Sequence, residues 1–149
     1  MSGQFTLGKE ERLKSRKLIE RLFSERKSFA ITPFRVYWLS GEKVFDASPR
    51  TKVLQDTAAM MYVQCGFGAS IKIFKKAVDR NRIKRLMREA WRLQKQQLVT
   101  TAATKKKQLA VFIIYTGKEL PDFAMVKMKV AVILNKLITI VDESTVAAP

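Results

Sequence analysis

The stretch AVDRNRIKRLMREAWRLQK, residues 77–95, constrains this chain more than any other. Wound at about 100° per residue, it separates into two faces. Ile83, Leu86, Met87, Ala90 and Leu93 gather within an arc of roughly 120°, wide enough to bury against a sheet. Asn81, Lys84, Arg85, Arg88, Arg92 and Lys95 form a stripe opposite, with Arg80 and Arg82 at its borders and Trp91 at the edge of either surface. A helix of this kind belongs on the outside of a layered domain, one side in the core and the other offered to a partner. Asp79 is the expected N-cap, and Val78 with Ile83 the expected hydrophobic staple. Cations then occupy the first turn, where the helix dipole disfavours each by roughly 0.3–1 kcal/mol when exposed. An anion satisfies both the arginines and the first-turn N–H groups.

The rest of the composition asks for a large anion. Against 29 Lys+Arg stand 13 Asp+Glu, a formal charge of +16 on 149 residues. Such a charge repels itself and is sensible beside a polyanion, with nucleic acid the first candidate and an anionic membrane surface the second. Hydrophobic residues make up 47%, enough for a core, so the chain reads as one compact domain and not as a disordered basic tail. A merely solvated helix face would mix its signs. A membrane-surface helix would need large apolar residues beyond those the core consumes.

Catalytic chemistry is poorly supplied. Histidine is absent, which removes Ser-His-Asp and Cys-His catalysis and every histidine metal site. The acids are scattered, so neither a two-metal carboxylate cluster nor a histidine base is offered for phosphodiester hydrolysis. Cys65 is the single cysteine and reads as a buried strand residue without a redox role. The longest apolar region, AMVKMKVAVILNKLITIV, is interrupted by Lys127, Lys129, Asn135 and Lys136, so no membrane span is expected. With no signal peptide legible in MSGQFTLGKEERLKSRK, the expectation is a soluble cytoplasmic protein.

Periodicity predicts a first helix over 9–26, through Leu13, Leu18, Ile19, Leu22 and Phe23. FRVYWL at 34–39 reads as a strand, as does AAMMYVQC at 58–65, broken or bulged at Gly66 and Gly68, with 69–74 as a short continuation. Phe34 and Trp38 read as core, and Met60 and Met61 as packing residues. LAVFIIY at 109–115 is apolar enough for a strand buried on both faces, led in by Lys105, Lys106 and Lys107. A turn over 116–122 precedes a final helix over 123–138, with Met125, Met128, Val132 and Leu137 inward. Residues 40–57 read as a flexible connector and 142–149 as a frayed tail. The expected order is α-β-β-(β)-α-β-α, a single α+β domain over 1–141 with helices packed on a mixed sheet.

The segment KKAVDRNRIKRLMREAWRL closely resembles the signature of the bacterial ribonuclease P protein subunit, centred on Arg80, Asn81 and Arg82 and continuing through Ile83, Lys84, Arg85 and Leu86. The order of elements fits that family along most of the chain. The resemblance implies a left-handed crossover into the basic helix. It also implies a protein that binds a catalytic RNA and the single-stranded 5′ leader of precursor tRNA, as a monomer in a 1:1 complex with the RNA. The leader is removed in a Mg²⁺-dependent cut that the RNA performs, the Mg²⁺ being held mainly by the RNA. By the same resemblance Arg80, Asn81, Arg82, Lys84, Arg85 and Arg88 face RNA, joined by Arg92, Lys72 and Lys76. Phe23 and Tyr37 line the leader cleft, where aromatic rings suit unpaired bases without demanding a sequence. Ile19 stands at a cleft position that is aromatic in some members. No protein ligand for a metal is assigned. The family's Lys-Lys-x-Gly before the motif reads Lys72, Ile73, Phe74 and Lys75 here, so the turn that aims the helix lacks its glycine. The alternatives are a ribosomal-type RNA-binding protein with no part in cleavage and, after it, a basic membrane-surface protein.

Overall fold

The computed structural model describes residues 12–13, 15–25, 27–41, 44 and 62–146, with side chains as far as residue 143. Positions 9–11 of the expected first helix, Met60 and Met61 with strand positions 58–61, and nearly all of the 40–57 connector lie outside them.

Helix α1 spans Arg16–Glu25. Ser15 starts it, its Oγ accepting the amide of Leu18 at 3.3 Å, which satisfies an N–H that the first turn leaves open. Leu18 and Leu22, four residues apart, are its buried pair. Strands β1 (Ser28–Ile31) and β2 (Phe34–Gly41) form a hairpin around Thr32 and Pro33. The sequence reading has no strand at β1, because four residues are too few to display an alternation. Strand β3 (Val63–Ala69) and strand β4 (Gln108–Tyr115) complete a mixed sheet of order β1-β2-β4-β3, in which β4 runs antiparallel to β2 and parallel to β3. Gly66 and Gly68 lie within β3 and do not break it. In place of the expected continuation over 69–74, the chain turns at 71–73.

Between β3 and β4 run two helices, α2 (Ala77–Gln94) and α3 (Gln96–Lys105). The second has no counterpart in the sequence reading, since QQLVTTAATK is polar and buries only Leu98 and Ala102. It ends with Lys106 in the left-handed region at φ 54°. The Lys106 amide donates to Ala103 O at 3.2 Å and the Lys107 amide to Ala102 O at 3.0 Å. This closure usually takes glycine. Of the three lysines expected to lead into β4, Lys105 ends α3, Lys106 caps it and Lys107 joins it to the strand.

Helix α4 (Phe123–Val146) begins at Asp122, whose Oδ1 accepts the amide of Met125 at 2.8 Å. Its buried stripe is Val126, Val130, Ile133, Leu134, Leu137 and Val141. Met128 and Val132, expected inward, are 59% and 45% exposed, because a stripe set by Val126 and Val130 turns them outward. The helix runs past residue 138 into the segment read as a tail.

Alternation along the strands divides the interior. Phe34, Val36, Val63, Cys65, Leu109, Val111, Ile113 and Tyr115 face α2, α3 and α4 in the main core. Leu39 and Ala110 face the other way and meet Leu13, Leu18, Leu22 and Val44 in a smaller cluster under α1. Central strand β4 is thus buried on both faces, as its composition predicts. Among the described residues no helix is long and apolar enough to cross a membrane.

Candidate nucleic-acid interface

Helix α2 is rotated relative to the expected wheel. Ile83, Met87, Ala90 and Trp91 are its buried residues, so the inward arc is turned by roughly 45° toward Trp91. The indole decides this, as the largest apolar group on the helix, meeting Phe67 of β3 edge-on at 6.2 Å. Leu86 and Leu93 become half-buried border residues. Lys95, expected on the outer stripe, is buried where α2 meets α3. The helix also begins earlier than expected, with Lys76 as N-cap and no side-chain bond at the cap. Asp79 is an acid within the first turn, not the cap, and Val78 is 76% exposed, so no hydrophobic staple forms.

The rotation leaves two cationic sides. On the outer side Asn81, Arg82 and Arg85 line a shallow groove together with Val78 and Leu86. Arg92, farther along, is engaged by Glu89: its Nε donates to Oε2 at 3.1 Å and its Nη2 to Oε1. The guanidinium holds the Glu89 carboxyl below its ordinary range, mainly through that hydrogen bond. The outer stripe therefore mixes its signs at one end, contrary to the expectation from sequence. On the inner side Lys84 and Arg88 face a cleft closed by Arg12, Leu13, Gly66 and Phe112.

The far part of that sheet face is aromatic. Phe23 of α1 meets Tyr37 of β2 at 4.7 Å and Phe112 of β4 at 5.6 Å, both edge-to-face, and remains 39% exposed. Such pairs add about 0.5–1.5 kcal/mol beyond area burial, so the triad is a rigid floor. Phe112 lies across β3 because Gly66 and Gly68 carry no side chain: a Cβ at Gly66 would fall 2.7 Å from the ring, and one at Gly68 3.0 Å. Ile19 is half-buried against the smaller cluster beside Tyr37 and Phe112. The sequence reading missed Phe112 and Arg12. The available signal for Phe112 was a Gly-x-Gly in one strand, at the side-chain period of 2, opposite a strand with one aromatic at its centre.

The turn that aims α2 is settled by Phe74 and Arg80. Phe74 is buried, with its ring 6.0 Å from that of Tyr115, and its amide donates to Ser70 O at 2.9 Å. Arg80 Nη1 donates to Phe74 O at 2.8 Å and to Lys75 O at 2.9 Å. Bonds from a charged donor contribute about 1.5–3 kcal/mol when desolvated. Even discounted for the half-exposed position, the pair offsets the roughly 0.3–1 kcal/mol that a first-turn cation costs. Lys106 is the single described non-glycine residue with positive φ, so the turn over 70–76 never enters the left-handed region. Its missing glycine costs nothing. Lys72, Lys75 and Lys76 are exposed along it.

Among the described residues no three His, Cys, Asp or Glu side chains gather as a metal site. Burial pushes the Cys65 thiol well above its ordinary range and keeps it protonated.

The family model described as Ribonuclease P matches residues 7–138. The chain is 32% identical over 123 residues to the ribonuclease P protein component of Porphyromonas gingivalis strain W83, covering 83% of this chain and 80% of that one. Against the ribonuclease P protein component of Chlorobium phaeobacteroides the identity is 30% over 139 residues, covering 89% and 88%. The solved structure of the Staphylococcus aureus RNase P protein superposes with a TM-score of 0.59 at 19% identity, over 85% of this chain and 94% of that one, a likeness of fold.

Proposed function

The chain belongs to the ribonuclease P protein family, and from that premise we propose that its helix α2 engages two RNAs, the catalytic RNA on one side and the precursor tRNA leader on the other. As a protein component of ribonuclease P it is a subunit of the endoribonuclease that processes tRNA 5′ ends, with the ribonuclease P RNA and precursor tRNA as its partners. The observation that carries the division is the split of α2's cations between a one-helix outer groove and a many-element cleft.

On the outer side Asn81, Arg82 and Arg85 take phosphates of the folded catalytic RNA, and exposed Lys72 and Lys76 extend the same field. On the inner side Lys84, Arg88 and Arg12 hold leader phosphates while Phe23, Tyr37 and Phe112 offer faces and edges to unpaired bases. Arg92 contributes charge from an ion pair that RNA must compete for. Stacking and phosphate contacts accept any sequence, which suits a leader that varies between precursors. One basic helix with one cleft fits one catalytic RNA per chain.

Mg²⁺ supports the cut when bound among the RNA phosphates. The described residues of this chain do not fit an all-protein Mg²⁺ cage, which needs several oxygens in octahedral array. The protein's contribution is to neutralise and align the RNA on which the ions sit. The test is reconstitution. The protein alone leaves precursor tRNA intact, and with the catalytic RNA it lowers the Mg²⁺ concentration needed for cleavage. Equal Mg²⁺ dependence with and without the protein overturns the proposal.

A further inference from the structure

Arg80, Asn81 and Arg82 are consecutive, yet the fold treats them differently. Asn81 and Arg82 are exposed and line the outer groove, whereas Arg80 is half-buried and lies outside that lining. We propose that Arg80 is a positioning residue: it fixes the direction in which α2 leaves the sheet, and it acts on RNA through Asn81 and Arg82, not through a phosphate of its own. The proposal rests on the outer face of α2 engaging RNA.

The geometry is a clamp. From inside, Phe74 anchors the turn in the main core. From outside, Arg80 Nη1 spans back over the turn to the carbonyls of Phe74 and Lys75, at 2.8 and 2.9 Å. Lys76, the N-cap, makes no side-chain cap bond, so the described tie between turn and helix runs from the Arg80 guanidinium to the carbonyls ahead of the helix. Swinging Arg80 toward solvent would leave two carbonyls without that donor. A lysine at this position keeps the charge but replaces a planar fork with a strongly hydrated point charge on a different stem. Charge and geometry can therefore be separated by substitution.

The test uses the full chain and three variants, Arg80→Ala, Arg80→Lys and Arg82→Ala. Hydrogen exchange of amides 80–84 is measured without RNA. Affinity for the catalytic RNA is measured over a salt series. Both Arg80 variants are expected to exchange about tenfold faster there, the equivalent of about 1.4 kcal/mol of lost protection. Both should bind RNA several-fold more weakly with the salt slope of the parent protein. Arg82→Ala should exchange normally and flatten the slope by about one unit. The proposal is overturned if Arg80→Lys restores parental exchange and affinity. It is equally overturned if Arg80→Ala exchanges normally and flattens the slope as Arg82→Ala does. Should Arg82→Ala leave affinity and slope unchanged, the RNA reading of the outer face fails, and the exchange result still decides the role of Arg80 in the turn.

Discussion

On its outer side α2 presents Asn81, Arg82 and Arg85 beside Val78 and Leu86, five residues of a single helix. On its inner side Lys84 and Arg88 face Gly66 of β3, Phe112 of β4 and Arg12 near the start of α1. The first surface is as rigid as one helix held by Ile83, Met87, Ala90 and Trp91, and suits docking against another folded surface. The second is assembled from separate elements around an aromatic floor, and suits a flexible chain with unstacked bases. Like charge on both sides supplies attraction, and the neighbours of the charge decide what is attracted.

The largest expected effect removes the difference between the sides altogether. Trp91→Ala takes the indole from between α2 and β3 and should cost about 3–5 kcal/mol by denaturant unfolding, weakening both RNA contacts together. Gly66→Val sharpens the comparison, because its Cβ would meet the Phe112 ring at 2.7 Å. It should cost about 1–3 kcal/mol of stability and displace Phe112. Affinity for a precursor with its leader should then fall while affinity for the catalytic RNA alone holds. Phe23→Ala should act in the same direction through lost stacking, with a penalty of about 1–3 kcal/mol in leader binding, read as the affinity ratio between leader-bearing and mature tRNA.

Two smaller effects are read as stability, the first away from both sides and the second at the end of the outer stripe. Lys106→Gly relieves a side chain held at φ 54° and should stabilise the fold by about 1 kcal/mol in thermal unfolding, leaving both RNA affinities unchanged. Glu89 titrates below its ordinary value in the folded protein because Arg92 bonds its charged form. Its contribution is thus present above the ordinary carboxylate range and lost as the pH falls through the lowered value. The stability difference between the parent protein and Glu89→Gln should vanish on that acid side, and it should be small throughout because the pair is half exposed.

Sequence pattern is sufficient for the existence of α2, β2 and β4, and it places the cations of α2 outside the core with the exception of Lys95. It was insufficient wherever tertiary packing chose among near-equal options. The wheel of α2 offered Leu86 and Leu93 against Trp91 as core residues, and it is the tertiary contact with Phe67 that favours the indole. In α4 the apolar residues go nearly all the way round, so no period singled out Val126 over Met128. Helix α3 has too few apolar residues to announce itself, and β1 is too short. For the cleft, Phe23 and Tyr37 were named through the family resemblance and do lie ring against ring. Phe112 was hidden because its partners are glycines on another strand, a pairing visible only once the register of β3 and β4 is known. Arg80 reads in sequence like its neighbours, and its separate place comes from a turn that no local pattern predicts.

The central claim is that the two sides of α2 hold different RNAs. It is tested most directly by measuring Arg82→Ala/Arg85→Ala and Lys84→Ala/Arg88→Ala side by side, for affinity to the catalytic RNA and for the preference of the assembled enzyme for leader-bearing over mature tRNA. The outer pair should lower affinity for the catalytic RNA and leave the leader preference intact. The inner pair should lower the leader preference by roughly tenfold or more, as the loss of two phosphate contacts implies, with little change in affinity for the catalytic RNA. Equal losses in both measurements for both pairs would contradict the account.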